Sequence, residues 1–330
     1  MTPKRFPKIL KQLAKLCLGI AFLGLIVYFG DTSSLSKLKQ VNPLYLSIGL
    51  LLTLGINILV GTRWGMILQA RVGYKVCSTL HLIYYFLLGR SLGFIVPKDA
   101  SDFGVRTAFL VKSHGLTIKN AVYSIVFDRF FDFLTIGVFL ISSVLFLTGI
   151  VSIPAAFGIM IGSFAITCLL LAWSGAKWLN LVVTFCAKAL LKVVSRLPFL
   201  KKKSFVMVEP SPIDTKLLLK LYCYSTGKFI FTALRLYCFV LAFGLTIPFP
   251  LIFLATPAGQ LSYIFAVTPG GLGIFEAGWY AILKYMRIPE AEITPFLIGQ
   301  RTFILIFIIS FTLIGYCVRF LAERKHAGCS

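Results

Sequence analysis

The sequence predicts an all-α polytopic membrane protein, and three observations carry that fold class. Hydrophobic residues make up 58% of the 330-residue chain and mean hydropathy is +0.91, whereas soluble domains run at roughly 45–50% apolar residues. Several apolar runs approach the roughly 20 residues that cross a bilayer. Two of the runs are interrupted by Gly and Pro, and broken backbone at membrane depth is tolerated only where protein or a watery cavity shields it. The net charge of +22 falls mostly in short segments between apolar runs, as in cytoplasmic loops. Anionic lipid headgroups, not nucleic acid, are therefore the expected partners. The eight cysteines lie mostly within apolar runs and form no CxxC pair, so neither a disulfide framework nor a zinc site is indicated.

Taken in order, Lys4, Arg5, Lys8, Lys11 and Lys15 precede a first membrane helix at about 10–29, with its N-terminus expected in the cytoplasm. No small-x-small cleavage site follows it. A second helix at 42–62 ends at Arg63, Arg71 and Lys75. The run from 78 meets Gly89, Arg90, Gly93 and Pro97 and then a polar stretch, so 78–111 is expected to dip in and return as a re-entrant hairpin. That reading keeps Lys112 and Lys119 on the cytoplasmic side. Residues 120–148 run outward and 153–173 return. The most basic section, 175–215, holds an amphipathic stretch at 178–197 that either lies in the interface or spans, then a loop at 203–215. Residues 216–245 run outward, a second broken region at 251–285 enters and leaves from outside, and 294–319 return to a basic tail. Arg287, Glu290 and Glu292 fall in the external loop on this reading.

The expectation is thus one membrane domain over 1–330, with halves at 1–174 and 216–330. It has about six full spans and two hairpins in an inverted repeat, about eight hydrophobic segments in all.

The second break, Thr268 to Trp279, is the stretch around which the chain is organised. Gly270, Gly271 and Gly273 permit positive φ, Pro269 cannot continue a helix normally, and Glu276 falls in the first turn of the short helix that follows. A break followed by a half-helix is how transporters build midplane sites. The plainer reading is a kink that lets two helices pack closely.

Charges inside the apolar runs give the remaining candidates. Asp128 and Asp132 are four apart and share a helix face, with Arg129 about 100° round from Asp128. A charge at a helix centre costs about 2.5–3.5 kcal/mol on insertion scales, so these residues need partners or water. They are either structural ion pairs near the cytoplasmic end or ligand contacts. Lys228 and Arg235 project from a similar face, Arg90 and Arg106 bracket the first break, and Arg301 lies one turn into the last helix. Arginines at half-membrane level suit a lipid phosphate, because guanidinium binds phosphate bidentately and stays charged when partly desolvated. Asp99, Asp102, Asp128, Asp132 and Glu276 could pair with them or meet an amine-bearing headgroup. His81, without companions at metal spacing, reads as a helix packer. No P-loop, HExxH or dinucleotide fingerprint occurs, so neither a cofactor nor catalysis is expected.

Three segments together resemble the lysylphosphatidylglycerol synthase transmembrane (flippase-like) family. They are Pro97 with Ser101, Asp102 and Arg106; Asp128-Arg129-Phe130-Phe131-Asp132; and Pro269-Gly270-Gly271-Leu272-Gly273-Ile274-Phe275-Glu276. Ser101 stands where a glycine is common in the family. The resemblance implies an inner-membrane, lipid-translocating domain without the cytosolic aminoacyl-transfer domain of the bifunctional members. Its substrate would be a phospholipid or lipid-linked sugar, with an anionic or aminoacylated headgroup. The alternative is a non-transporting scaffold for a lipid-modifying enzyme or glycosyltransferase. A homodimer or such an enzyme would then be the protein partner.

Overall fold

The computed structural model describes residues 41–94, 98–173, 181–182, 185–186, 214–264, 268 and 270–327. Nine helices of ten residues or more occupy these residues, and no strand occurs among them: α1 Pro43–Val72, α2 Thr79–Leu92, α3 Lys98–His114, α4 Ile118–Leu147, α5 Ile153–Trp173, α6 Thr215–Ala242, α7 Phe249–Ile264, α8 Ile274–Tyr285 and α9 Glu290–Ala327. Five are long and apolar enough to cross a membrane: α1, α4, α5, α6 and α9 as far as Cys317. The protein is an all-α polytopic membrane protein, as composition and apolar run length imply. The expected first helix at 10–29, nearly all of 178–197 and most of the 203–215 loop lie outside the described residues.

Helix ends follow local chemistry. Asn42 caps α1 by accepting from the Leu44 N–H at 3.0 Å, with Pro43 in the first turn. The helix runs to Gly73, which at φ 82° closes it by donating to the Gln69 carbonyl. It therefore does not stop at Arg63, as the charge had suggested; nothing before Gly73 breaks a helix, and Arg63 is 1% exposed inside the bundle. Glu290 and Glu292 likewise belong to the first turn of α9, where the helix dipole favours them, and not to a loop. His81 is exposed near the start of α2, its ring 2.7 Å from the Ser78 hydroxyl, so it does not act as a packer.

Topology follows from one contact. Asn42 donates its backbone N–H to the Ala242 carbonyl at 2.8 Å, so the start of α1 meets the end of α6 and the two run antiparallel. Their interface is the most extensive in the bundle. Helices α2 and α3 form a hairpin that opens at the C-terminal end of α1, while α7 and α8 form one that opens at its N-terminal end. Each is bracketed by two spanning helices, α1 and α4 or α6 and α9. The two units are inverted relative to each other, and the hairpins enter the bundle from opposite ends. Each hairpin breaks close to where the sequence places it.

Small residues bring the hairpin arms together. A Cβ at Gly89 in α2 would lie 3.3 Å from the Asp102 backbone in α3, and one at Gly278 in α8 would lie 2.5 Å from Ser262 in α7. Ser101 ties the first pair, donating its hydroxyl to the Gly89 carbonyl at 2.7 Å.

Candidate functional site

The interior holds a ring of ion pairs drawn from four helices. Arg63 on α1 donates Nε to Asp128 Oδ1 at 2.8 Å and Nη1 to Asp132 Oδ1 at 2.8 Å and to the Ser225 hydroxyl at 2.6 Å. Arg106 on α3 reaches the other Asp128 oxygen at 3.0 Å and Asp102 at 3.3 Å, and its guanidinium stacks 3.9 Å over the Trp64 ring. Arg129 pairs with Asp102 and lies 3.8 Å from Asp132, which Lys228 of α6 meets at 2.7 Å. Asp128 is ten residues into α4, about 15 Å along its axis by a 1.5 Å rise, roughly half a hydrocarbon core. The ring therefore lies deep in the bundle, where an unpaired charge costs most.

Within this ring the candidates divide. Asp128 and Arg106 are 1% and 0% exposed with partners on both sides, so they brace the structure and are not available to a ligand. That takes Arg106 out of the set of arginines expected to meet a lipid phosphate. Asp102, Arg129, Asp132 and Lys228 instead border a cavity of about 120 Å³. Its other walls include Arg90, Arg235, Gln260 and Tyr263, with Ile56, Val60, Phe133 and Ile136 on an apolar side.

A second cavity of about 60 Å³ shares Arg90, Arg235, Gln260 and Tyr263 with the first and continues to Gly270 and Arg301. A third, of about 40 Å³, shares Asp132, Lys228, Thr232 and Gln260 and reaches Ser225. Gln260 on α7 lines all three. The result is a chain of adjoining cavities from the ion-pair ring to the hairpin tips.

At the tips the broken backbone is held by specific contacts. Gly270, Gly271 and Gly273 sit at φ 63°, 71° and 81°, a region that other residues rarely adopt. Glu276, 1% exposed, accepts the Gly273 N–H at 2.7 Å and pairs with Arg301 at 3.0 Å; Arg301 also donates to the Gly270 carbonyl. Gly270 in turn donates its N–H to the Gly93 carbonyl at the tip of the other hairpin, at 2.5 Å. Glu276 is thus a brace, and Arg301 both braces and lines the second cavity.

Arg90 and Arg235 differ from every other cation here. Arg90 donates to the Asn57 amide oxygen at 3.1 Å, and Arg235 has its Nε buried without a hydrogen-bond partner. Neither forms an ion pair among the described residues. Two guanidiniums without carboxylates on one shared wall make an anion-receptive surface. Among the described residues no cluster of His, Cys, Asp or Glu could hold a metal ion.

Sequence reasoning passed over Arg63, Asn57, Gln260 and Tyr263, and it noted Lys228 without placing it in the site. A lone Arg inside an otherwise unbroken helical run was the available signal for Arg63. The uncharged residues carry none.

Spanning helices in two inverted units, opposed broken hairpins and a charged cavity between them define a polytopic membrane protein with a polar cavity inside its helix bundle. The family model "Lysylphosphatidylglycerol synthase TM region" matches residues 12–311, and the chain belongs to that family. It is also similar to a UPF0104 membrane protein of Methanothermobacter thermautotrophicus, 22% identical over 289 residues and 82% of each chain.

Proposed function

We propose that this protein moves a phospholipid or lipid-linked sugar between leaflets, with the headgroup in the cavity between the hairpins and the acyl chains outside in lipid. One observation carries the reading: Arg90 and Arg235, which form no ion pair among the described residues, line a cavity that half-exposed Phe133 also lines. A headgroup phosphate suits the guanidiniums, and an apolar edge suits the start of a chain. The hairpins supply what alternating access needs, two opposed elements meeting at a site that each can bias. The protein performs no chemistry on the lipid.

The end of the bundle where α1 finishes carries Arg71, Lys75, Lys112, Lys119, Lys216 and Lys220. By the positive-inside rule this end faces the cytoplasm of an inner membrane, with both termini on that side.

The test is transfer of labelled phospholipid in vesicles containing the purified protein. Arg90→Ala with Arg235→Ala should abolish transfer while expression and elution profile stay unchanged. Transfer at the wild-type rate by that variant would refute the assignment.

A further inference from the structure

Resting on the headgroup reading above, we infer that the cavity selects a lipid of net negative charge, bound through its phosphate ester, and discriminates against an aminoacylated, cationic headgroup. The inference turns on which charges are already matched. Asp102 is held by Arg106 and Arg129, Asp132 by Arg63 and Lys228, and Glu276 by Arg301 and the Gly273 N–H. The charged lining of the first cavity is Arg90, Arg129, Lys228 and Arg235 against Asp102 and Asp132, so an ammonium group would enter a site of net positive charge. It would also face Arg90 and Arg235, for which no ion pair offsets the repulsion.

An anion meets the opposite situation. It approaches two guanidiniums whose charge no carboxylate offsets among the described residues. Gln260, which lines all three cavities, adds a neutral amide that can donate to a phosphate oxygen without altering the positive balance of charge. Like-charge juxtaposition across a desolvated contact is the repulsive component from which selectivity is built.

The experiment is competitive retention on the full-length purified protein. Equimolar phosphatidylglycerol and lysyl-phosphatidylglycerol are offered in detergent, and the bound lipid is read by native mass spectrometry. Phosphatidylglycerol should be retained at least about tenfold over its lysyl ester, a ratio that corresponds to 1.4 kcal/mol. Arg90→Gln with Arg235→Gln should bring the ratio toward one. Gln260→Glu, which adds a carboxylate at the junction, should raise retention of the lysyl lipid even where the double variant proves unstable. Excess glycerol 3-phosphate, the same ester without acyl chains, should leave the retained lipid in place; displacement would mark a site for a soluble phosphate ester and overturn the lipid assignment. Preference for the lysyl lipid, equal retention of both, or retention of neither overturns the inference. Selective retention without transfer in vesicles would sink the transport reading and leave this one standing, while equal transfer of both lipids would do the reverse.

Discussion

Gly270 donates its backbone N–H to the carbonyl of Gly93, and with that bond the tips of two hairpins entering from opposite ends of the bundle touch. The contact matters because both tips are broken backbone, whose polar groups find no water in a bilayer core and must be satisfied by protein. Arg301 completes the arrangement by donating to the Gly270 carbonyl while its charge is balanced by Glu276. Relative movement of the two tips must break the Gly270–Gly93 bond, whereas the Arg301 contacts lie within the second unit and travel with it. The tips mark where a change of access would be felt first.

Gly270→Ala should weaken this junction. The new Cβ would lie 3.0 Å from the Phe94 ring and 3.3 Å from Arg301 Nη2, at a φ of 63° that costs a non-glycine residue about 1–2 kcal/mol. Gly104→Ala on α3 is the control, since nothing lies within 4 Å of its Cβ position. Thermal unfolding in detergent should show a lowered midpoint for the first and an unchanged or raised one for the second. Equal midpoints would mean that the tips do not constrain the fold.

Arg63 is expected to be far costlier to remove than Lys228. It bridges Asp128 and Asp132 while 1% exposed, and removing one partner of a buried pair typically costs about 3–5 kcal/mol because the remaining charge is stranded. Lys228, 26% exposed and paired with Asp132, should cost distinctly less when changed to Ala. The comparison is made by denaturant midpoint or thermal midpoint on the two purified variants. A Lys228→Ala protein less stable than Arg63→Ala would reverse the assigned hierarchy.

How much of this the sequence discloses depends on whether a feature is local. The second break is local: Pro269, the three glycines and Glu276 prescribe a turn followed by a capped half-helix, and α8 begins at Ile274 with Glu276 accepting the Gly273 N–H. The opposed entry of the hairpins is nearly as legible, because the basic loops fix which ends share a side. What the chain does not disclose is pairing across helices. Arg90 and Arg106 bracket the same break and look alike in the sequence. Yet Arg106 turns toward Asp128 on α4 and is buried, while Arg90 donates to the amide of Asn57 and lines the cavity. Arg63 was read as a helix end because a charge normally marks one; its partners lie 65 and 69 residues further on, beyond any local pattern.

The α7–α8 hairpin should be sensitive to bulk where its arms touch. A Cβ at Gly259 would fall within the indole of Trp279, which is itself fully buried against α9 and α6 side chains. Over-packing at such a position costs about 1–3 kcal/mol. Gly259→Ala should therefore lower the melting midpoint, and Gly259→Ala with Trp279→Phe should recover part of the loss by returning space. Failure of the double variant to recover would show that backbone freedom, and not side-chain volume, sets the requirement for glycine there.

The inverted arrangement predicts sidedness directly. Lys112 lies in the last turn of α3, at the end of the bundle where α1 finishes, and Arg287 follows α8 at the end where α1 begins. Since α1 is long enough to span a bilayer, these two positions should face opposite aqueous compartments. In a background with the native cysteines replaced, Lys112→Cys and Arg287→Cys should label with a membrane-impermeant maleimide from opposite sides: Arg287→Cys in sealed cells, Lys112→Cys only after the membrane is opened. The basic loops on the Lys112 side set that polarity through the positive-inside rule. Labelling of both from the same side would place the two hairpins on one face of the membrane. It would then be impossible for α1 and α6 to cross the bilayer antiparallel, and a headgroup site reached from both leaflets would lose its structural basis.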